Sequence, residues 1–260
     1  MLTSKSVKKN LPQTKRIPRI STRGFFDLKT GKTLKKKSYD LYPKKFFENI
    51  GGFPEFTIMV HGLRNNKEGA LAKFKIAQQR LRHLGYKHPI LGFSYDSNVK
   101  NAHIKSYETR AMEIGKVIAR KNAINLAKFI LYCKKQNPNA RIRLMGHSLG
   151  SEVIIYALDK LKRKKNIIEA VYFFGGSIPA NSIHPQKFGK VLQNTVARKI
   201  LNYYSPHDEV LKHAYENNTT EKPIGYLGKE GKAVPKYVQK QVRPRNHRFA
   251  SYAAVLRSYP

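Results

Sequence analysis

"RIRLMGHSLGSEVIIYALDKLK", residues 141 to 162, changes character halfway along. Arg141 to Met145 is an apolar run that reads as a buried strand, whereas Ile154, Ala157, Leu158 and Leu161 recur at helical spacing. Between the two, Gly146-His147-Ser148-Leu149-Gly150 holds a serine between glycines in the pattern G-x-S-x-G. At a strand-to-helix junction this pattern predicts a turn so tight that side chains at 146 and 150 would strike neighbouring backbone. The serine hydroxyl is then exposed at the strand's carboxyl end. There the following helix presents its positive end and free N–H groups, which stabilise a developing negative charge. Ser148 is therefore the candidate nucleophile, with Gly146, His147 and Gly150 as elbow residues. His147 adjoins the serine on the turn, which suits packing or orienting rather than proton transfer.

The alternation continues outward. "FTIMVHG" (56–62), "PILGFSYDS" (89–97), "IIEAVYFFGG" (167–176) and "KILNYYS" (199–205) read as strands, with "PIGYLG" (223–228) and "YVQKQV" (237–242) as weaker candidates. Ala70, Phe74, Ala77, Leu81 and Leu84 mark one helix, which Gly85 stops, and Ala119, Ala123, Leu126, Ile130 and Cys133 mark a second. "RFASYAAVLRSY" closes the chain as a short helix. Strands alternating with helices predict a three-layer αβα sandwich around a mostly parallel sheet of about six strands, occupying residues 51–260. Residues 1–50 carry fourteen Lys or Arg, prolines at 12, 18 and 43, and no apolar period. They read as a basic, largely extended arm, anchored by the aromatics of "GFFDL" and "KKFFENI".

With "IMVHG" at 58–62 before it and GHSLG at its centre, the sequence resembles the α/β-hydrolase superfamily from residue 51 onward. The segments "HGLRNNKEGALAKF" and "PIGYLG … NHRFASY" are similar to a compact, nearly lidless group within it. The resemblance implies a serine hydrolase acting on a small acyl substrate such as a carboxylic ester. It assigns an oxyanion hole to the backbone N–H groups of Leu149 and of Gly62 or Leu63. A serine needs a base, and the base needs a carboxylate to fix its tautomer. The superfamily's order, serine then acid then histidine, selects Asp208 after a predicted strand and His247 before the last helix. Glu209 is the next choice for the acid, and His184, His207 and His213 compete as bases. His61 reads as a loop-fixing hydrogen bonder. Asp96 reads as a pocket-lining or helix-capping residue.

Composition adds a second theme. With 51 Lys and Arg against 16 Asp and Glu, the formal charge is +35. Such a field attracts phosphate polymers and anionic lipid headgroups. The arm, with Lys35, Lys36 and Lys37, is where nucleic acid or another anionic surface is expected to bind. A basic protein kept mainly as a nucleic-acid-binding or structural part of a nucleoprotein assembly, such as a ribosome or virion, is the alternative reading. The single cysteine, Cys133, allows no intrachain disulfide, and no apolar run approaches the roughly 20 residues of a membrane span. No signal-peptide core follows the basic N-terminus, so a cytoplasmic, intracellular location is expected. Neither phosphate-cradling glycine runs nor metal-ligand spacing occurs, so no metal and no cofactor is expected.

Overall fold

The computed structural model describes residues 17–99 and 105–260. Its strands are β1 (Arg19–Ser21), β2 (Asp40–Tyr42), β3 (Glu55–Val60), β4 (Ile90–Ser94), β5 (Arg141–His147), β6 (Ile168–Phe174), β7 (Val196–Tyr204) and β8 (Tyr237–Gln241). Its helices are α1 (Lys44–Glu48), α2 (Lys67–His83), α3 (Glu108–Gln136), α4 (Gly150–Lys160), α5 (Lys190–Thr195), α6 (Glu209–Glu216), α7 (Ile224–Leu227) and α8 (Phe249–Val255). The strands form one sheet in the order β2-β1-β4-β3-β5-β6-β7-β8. All neighbours run parallel except β1 and β2.

The central strands β3 and β5 are buried along almost their whole length because helices cover both faces of the sheet. Ile142 and Leu144 of β5 join the core formed with α3 and α4, whereas Met145 turns to the core formed with α2 and α8. β3 divides in the same way, with Ile58 and Val60 on the first face and Met59 on the second. Ala70, Phe74, Ala77 and Leu81 of α2 are buried, as are Ala119, Ala123, Leu126, Ile130 and Cys133 of α3. Gly85 follows α2 at φ +84°, the left-handed conformation in which a helix commonly ends. Among the described residues no helix is long and apolar enough to cross a membrane.

The sheet has eight strands rather than about six, and it begins before residue 51. The additional strands β1 and β2 have three residues each, too few for a period to register in the sequence. Burial holds this segment, since Ile20, Phe25, Phe26, Phe46 and Phe47 all belong to the α3-side core. The Asp96 carboxylate fixes the turn after β1 by accepting the backbone N–H groups of Gly24, Phe25 and Phe26 at 3.0–3.1 Å. Asp96 therefore caps a turn and not a helix. Residues 1–16 of the expected arm lie outside the described residues. "PIGYLG" forms the one-turn helix α7 instead of a strand. Backbone contact decides this, because a Cβ on Gly225 would stand 2.3 Å from Gly175 C and Gly176 N, and the Ile224 carbonyl accepts from Asn202 Nδ2 at 2.9 Å.

Candidate active site

Ser148 sits between β5 and α4 at φ +51°, a strained conformation for a residue with a Cβ. Surrounding hydrogen bonds hold it there. Its N–H donates to the Phe174 carbonyl at 3.1 Å, and its own carbonyl accepts from Ser151 N at 3.0 Å and Ser151 Oγ at 2.7 Å. The elbow is packed against β3 as the glycine pattern requires: a Cβ on Gly150 would lie 2.4 Å from the Val60 carbonyl oxygen. The loop after β3 is equally close, since a Cβ on Gly62 would lie 2.8 Å from Ser148 Cβ and 3.4 Å from Leu149 N.

Ser148, His247 and Asp208, separated by 99 and 39 positions, form one hydrogen-bonded chain. His247 Nδ1 is 2.7 Å from Asp208 Oδ2, and Nε2 is 2.9 Å from Ser148 Oγ. An ionised carboxylate only accepts, so Nδ1 carries the ring proton and Nε2 is free to accept the serine proton. Asp208 is fully buried at the N-cap of α6, where Oδ1 accepts Leu211 N–H at 3.2 Å. Burial alone would push its carboxyl up. The bond from His247, that ring's charge, and the bonds from Tyr252 and Leu211 outweigh burial and hold it below the ordinary value.

Three further side chains support this arrangement; Tyr252 and Arg23 were not anticipated from the sequence, whereas His147 stands there as a packing or orienting residue. Tyr252 O–H donates to Asp208 Oδ2 at 2.6 Å, the same oxygen that takes His247. His147 Nε2 donates to the His247 backbone carbonyl at 2.7 Å, so the elbow itself holds the loop that brings in the imidazole. Arg23, from the turn after β1, clasps the loop after β3: Nη1 and Nη2 each donate at 3.0 Å to the carbonyls of Asn65 and Asn66, and Nη2 reaches His61 Nε2 at 3.2 Å. Tyr252 was accessible through the spacing of Phe249, Tyr252, Ala253 and Leu256, a buried helical stripe whose phenol needs a partner. No local pattern marks Arg23.

His61 fixes its loop, as its sequence position suggested. Its Nε2 accepts Tyr95 N–H at 3.2 Å, which leaves Nδ1 to donate to the Gly62 carbonyl at 2.9 Å. Asn65 Nδ2 also donates to the carbonyls of Gly62 and Leu63 at 2.9 and 2.7 Å. The histidine that meets Ser148 Oγ is His247, and the competing residues have other surroundings. His184 caps the turn at Gln186, His213 pairs with Glu108 at 3.1 Å, and His207 and Glu209 are exposed. Lys35, Lys36 and Lys37 are exposed, with Lys37 paired to Asp40.

His61 and His147 are buried and neutral. Burial lowers both well below the ordinary 6.5, helped at His61 by Arg23 and at His147 by His247. The unfolded chain binds the extra protons, so stability is full above about pH 6.5 and falls as the pH drops below it. The expected slope is about 1.4 kcal/mol per pH unit for each ring. Urea midpoints measured at pH 7.5, 6.5 and 5.5 should decline across the lower interval. A constant midpoint would mean that the rings take up protons without unfolding.

Serine, acid and histidine thus follow the fifth, seventh and eighth strands, at the carboxyl ends of a sheet that is parallel from β1 onward, and this is the α/β-hydrolase fold. The chain belongs to the family described as "Protein of unknown function (DUF726)", whose model matches residues 86–232, more than half of its length. It is similar to the solved structure of TT1662 from Thermus thermophilus, at 16% identity over 77% of this chain and 84% of that one, with a TM-score of 0.47. It is also similar to XC6422 from Xanthomonas campestris, described as an a/b serine hydrolase without lid, at 15% identity over 75% and 73% with a TM-score of 0.38. A third similarity is to Trichoderma reesei cutinase in complex with a phosphonate inhibitor, at 17% identity and a TM-score of 0.35 over 56% of this chain; it spans 60% of the cutinase's length.

Proposed function

We propose that the protein is a serine hydrolase of carboxylic esters or related acyl compounds. The observation that carries this reading is the 2.9 Å contact between Ser148 Oγ and His247 Nε2, with the opposite ring nitrogen on Asp208. Ser148 Oγ attacks the acyl carbonyl carbon as His247 Nε2 takes its proton, and Asp208 stabilises the imidazolium. The carbonyl oxygen becomes an oxyanion that accepts from Leu149 N–H, which has no acceptor within its helix. Gly62 or Leu63 supplies the second donor. Because the Gly62 carbonyl is tied to His61 and Asn65, the trans peptide turns Leu63 N–H the opposite way. Collapse of the tetrahedral intermediate breaks the ester C–O bond, and the leaving alkoxide takes the proton from His247. Water, deprotonated by the same ring, then releases the acid and restores Ser148.

A fluorophosphonate probe tests this directly. It should label the wild-type chain and fail to label Ser148→Ala, and equal labelling of both proteins would overturn the assignment. A series of chromogenic esters of increasing acyl length would then define the substrate range.

A further inference from the structure

A groove of about 780 Å³ runs between the edge strand β8 and helix α8, lined by Tyr203, Lys240 to Arg243, Ala254, Val255, Arg257 and Ser258. Its cations are Lys240, Arg243 and Arg257, and no acidic residue lines it. Among the described residues none of the three forms an ion pair or a side-chain hydrogen bond. The sequence explains why: after Glu230 the chain carries Lys232, Lys236, Lys240, Arg243, Arg245, Arg248 and Arg257, and not one Asp or Glu. The positive field extends to β7, where Lys199 is lowered by burial and by the neighbouring charges of Arg143, Lys240 and Arg198. Lys37, by contrast, has Asp40 beside it.

We propose that this groove binds a single strand of nucleic acid through its phosphates. The volume is within the roughly 300–1,000 Å³ of small-ligand pockets, so it takes a few nucleotides of one chain and not a duplex. Arginine and lysine without acidic partners are free to exchange their water and counterions for phosphate oxygens, the contact that governs sequence-independent binding. The floor of Tyr203, Val242, Ala254 and Val255 offers apolar surface to sugar and base edges. A bilayer fits this face poorly. Among the exposed large apolar side chains Val117, Ile124 and Leu131 lie on α3, across the sheet, and Val238 is the one on β8. None of the residues lining the groove is Ser148, Asp208 or His247, so the proposal does not rest on the hydrolase reading.

The probe is a fluorescein-labelled oligouridylate of ten nucleotides, titrated by anisotropy at several salt concentrations against three full-length chains. These are wild type, the groove variant K240Q/R243Q/R257Q and the equal-charge control K35Q/K36Q/K37Q. The groove variant should bind at least tenfold more weakly, with a shallower salt dependence, while the control loses no more than about threefold. Equal losses in the two variants, or a larger loss in the control, would overturn the site in favour of the general field of the molecule. A groove variant that loses binding to vesicles of anionic phospholipid but keeps the oligonucleotide would also overturn it, because the ligand would then be a lipid headgroup. A urea midpoint equal to that of the wild type shows that the fold of the groove variant is retained, and a variant with a lowered midpoint is replaced by Arg257→Gln alone, for which at least a threefold loss of binding is required.

Discussion

His247→Gln should lower kcat for ester hydrolysis at pH 7.5 by about 10⁴- to 10⁶-fold, because Ser148 loses its proton acceptor outright. KM should change little, since the glutamine leaves the surrounding loops in place. The fold is expected to tolerate the change. The imidazole is partly exposed, at 14%, and the contact with His147 uses the backbone carbonyl of residue 247, which the variant retains. Steady-state kinetics with a chromogenic ester checks this, together with a denaturation curve to show that the variant is folded. A loss below about tenfold would remove His247 from the mechanism.

Asp208→Asn should cost about 10³- to 10⁴-fold in kcat while leaving the structure nearly unchanged. Asparagine serves an N-cap as well as aspartate, so its oxygen can still take Leu211 N–H. Its amide then faces His247 Nδ1 and donates to it, which moves the ring proton to Nε2 and aims that proton at Ser148 Oγ. The imidazole is present but in the wrong tautomer. Phosphonylation by the fluorophosphonate probe should slow in parallel, because it needs the same proton transfer. Wild-type kinetics in this variant would show that the carboxylate has no part in activating the serine.

The reactive centre was accessible from sequence to an uneven degree. The elbow is local: strand, glycine, serine, glycine and helix are contiguous, and a Cβ on Gly146 would lie 2.8 Å from Ile154 Cδ1 and 3.2 Å from Gly150 C, whereas the crowding at Gly150 comes from Val60 of β3. Asp208 and His247 were accessible through their order and through the strands they follow. The strands β1 and β2 were not, because three residues show no period and the segment is held by aromatics buried in the α3-side core. Arg23 illustrates the limit. Its partners Asn65, Asn66, His61 and Ser94 lie about 40 to 70 positions away, and in sequence it is one cation among 51 Lys and Arg.

The amino-acid sequence by itself determined the alternation of buried strands and amphipathic helices, the strained serine turn and the excess of positive charge. These depend on residue size, polarity and spacing over a few positions, which are properties of the local chain. Tertiary structure alone decided that Tyr252 braces the acid, that His147 holds the loop of His247, and that the cations Lys240, Arg243 and Arg257 share one groove. Hydrogen bonds and ion pairs form only at a few ångströms and in the right direction, and for residues far apart in the chain that distance is set by how the sheet and helices pack.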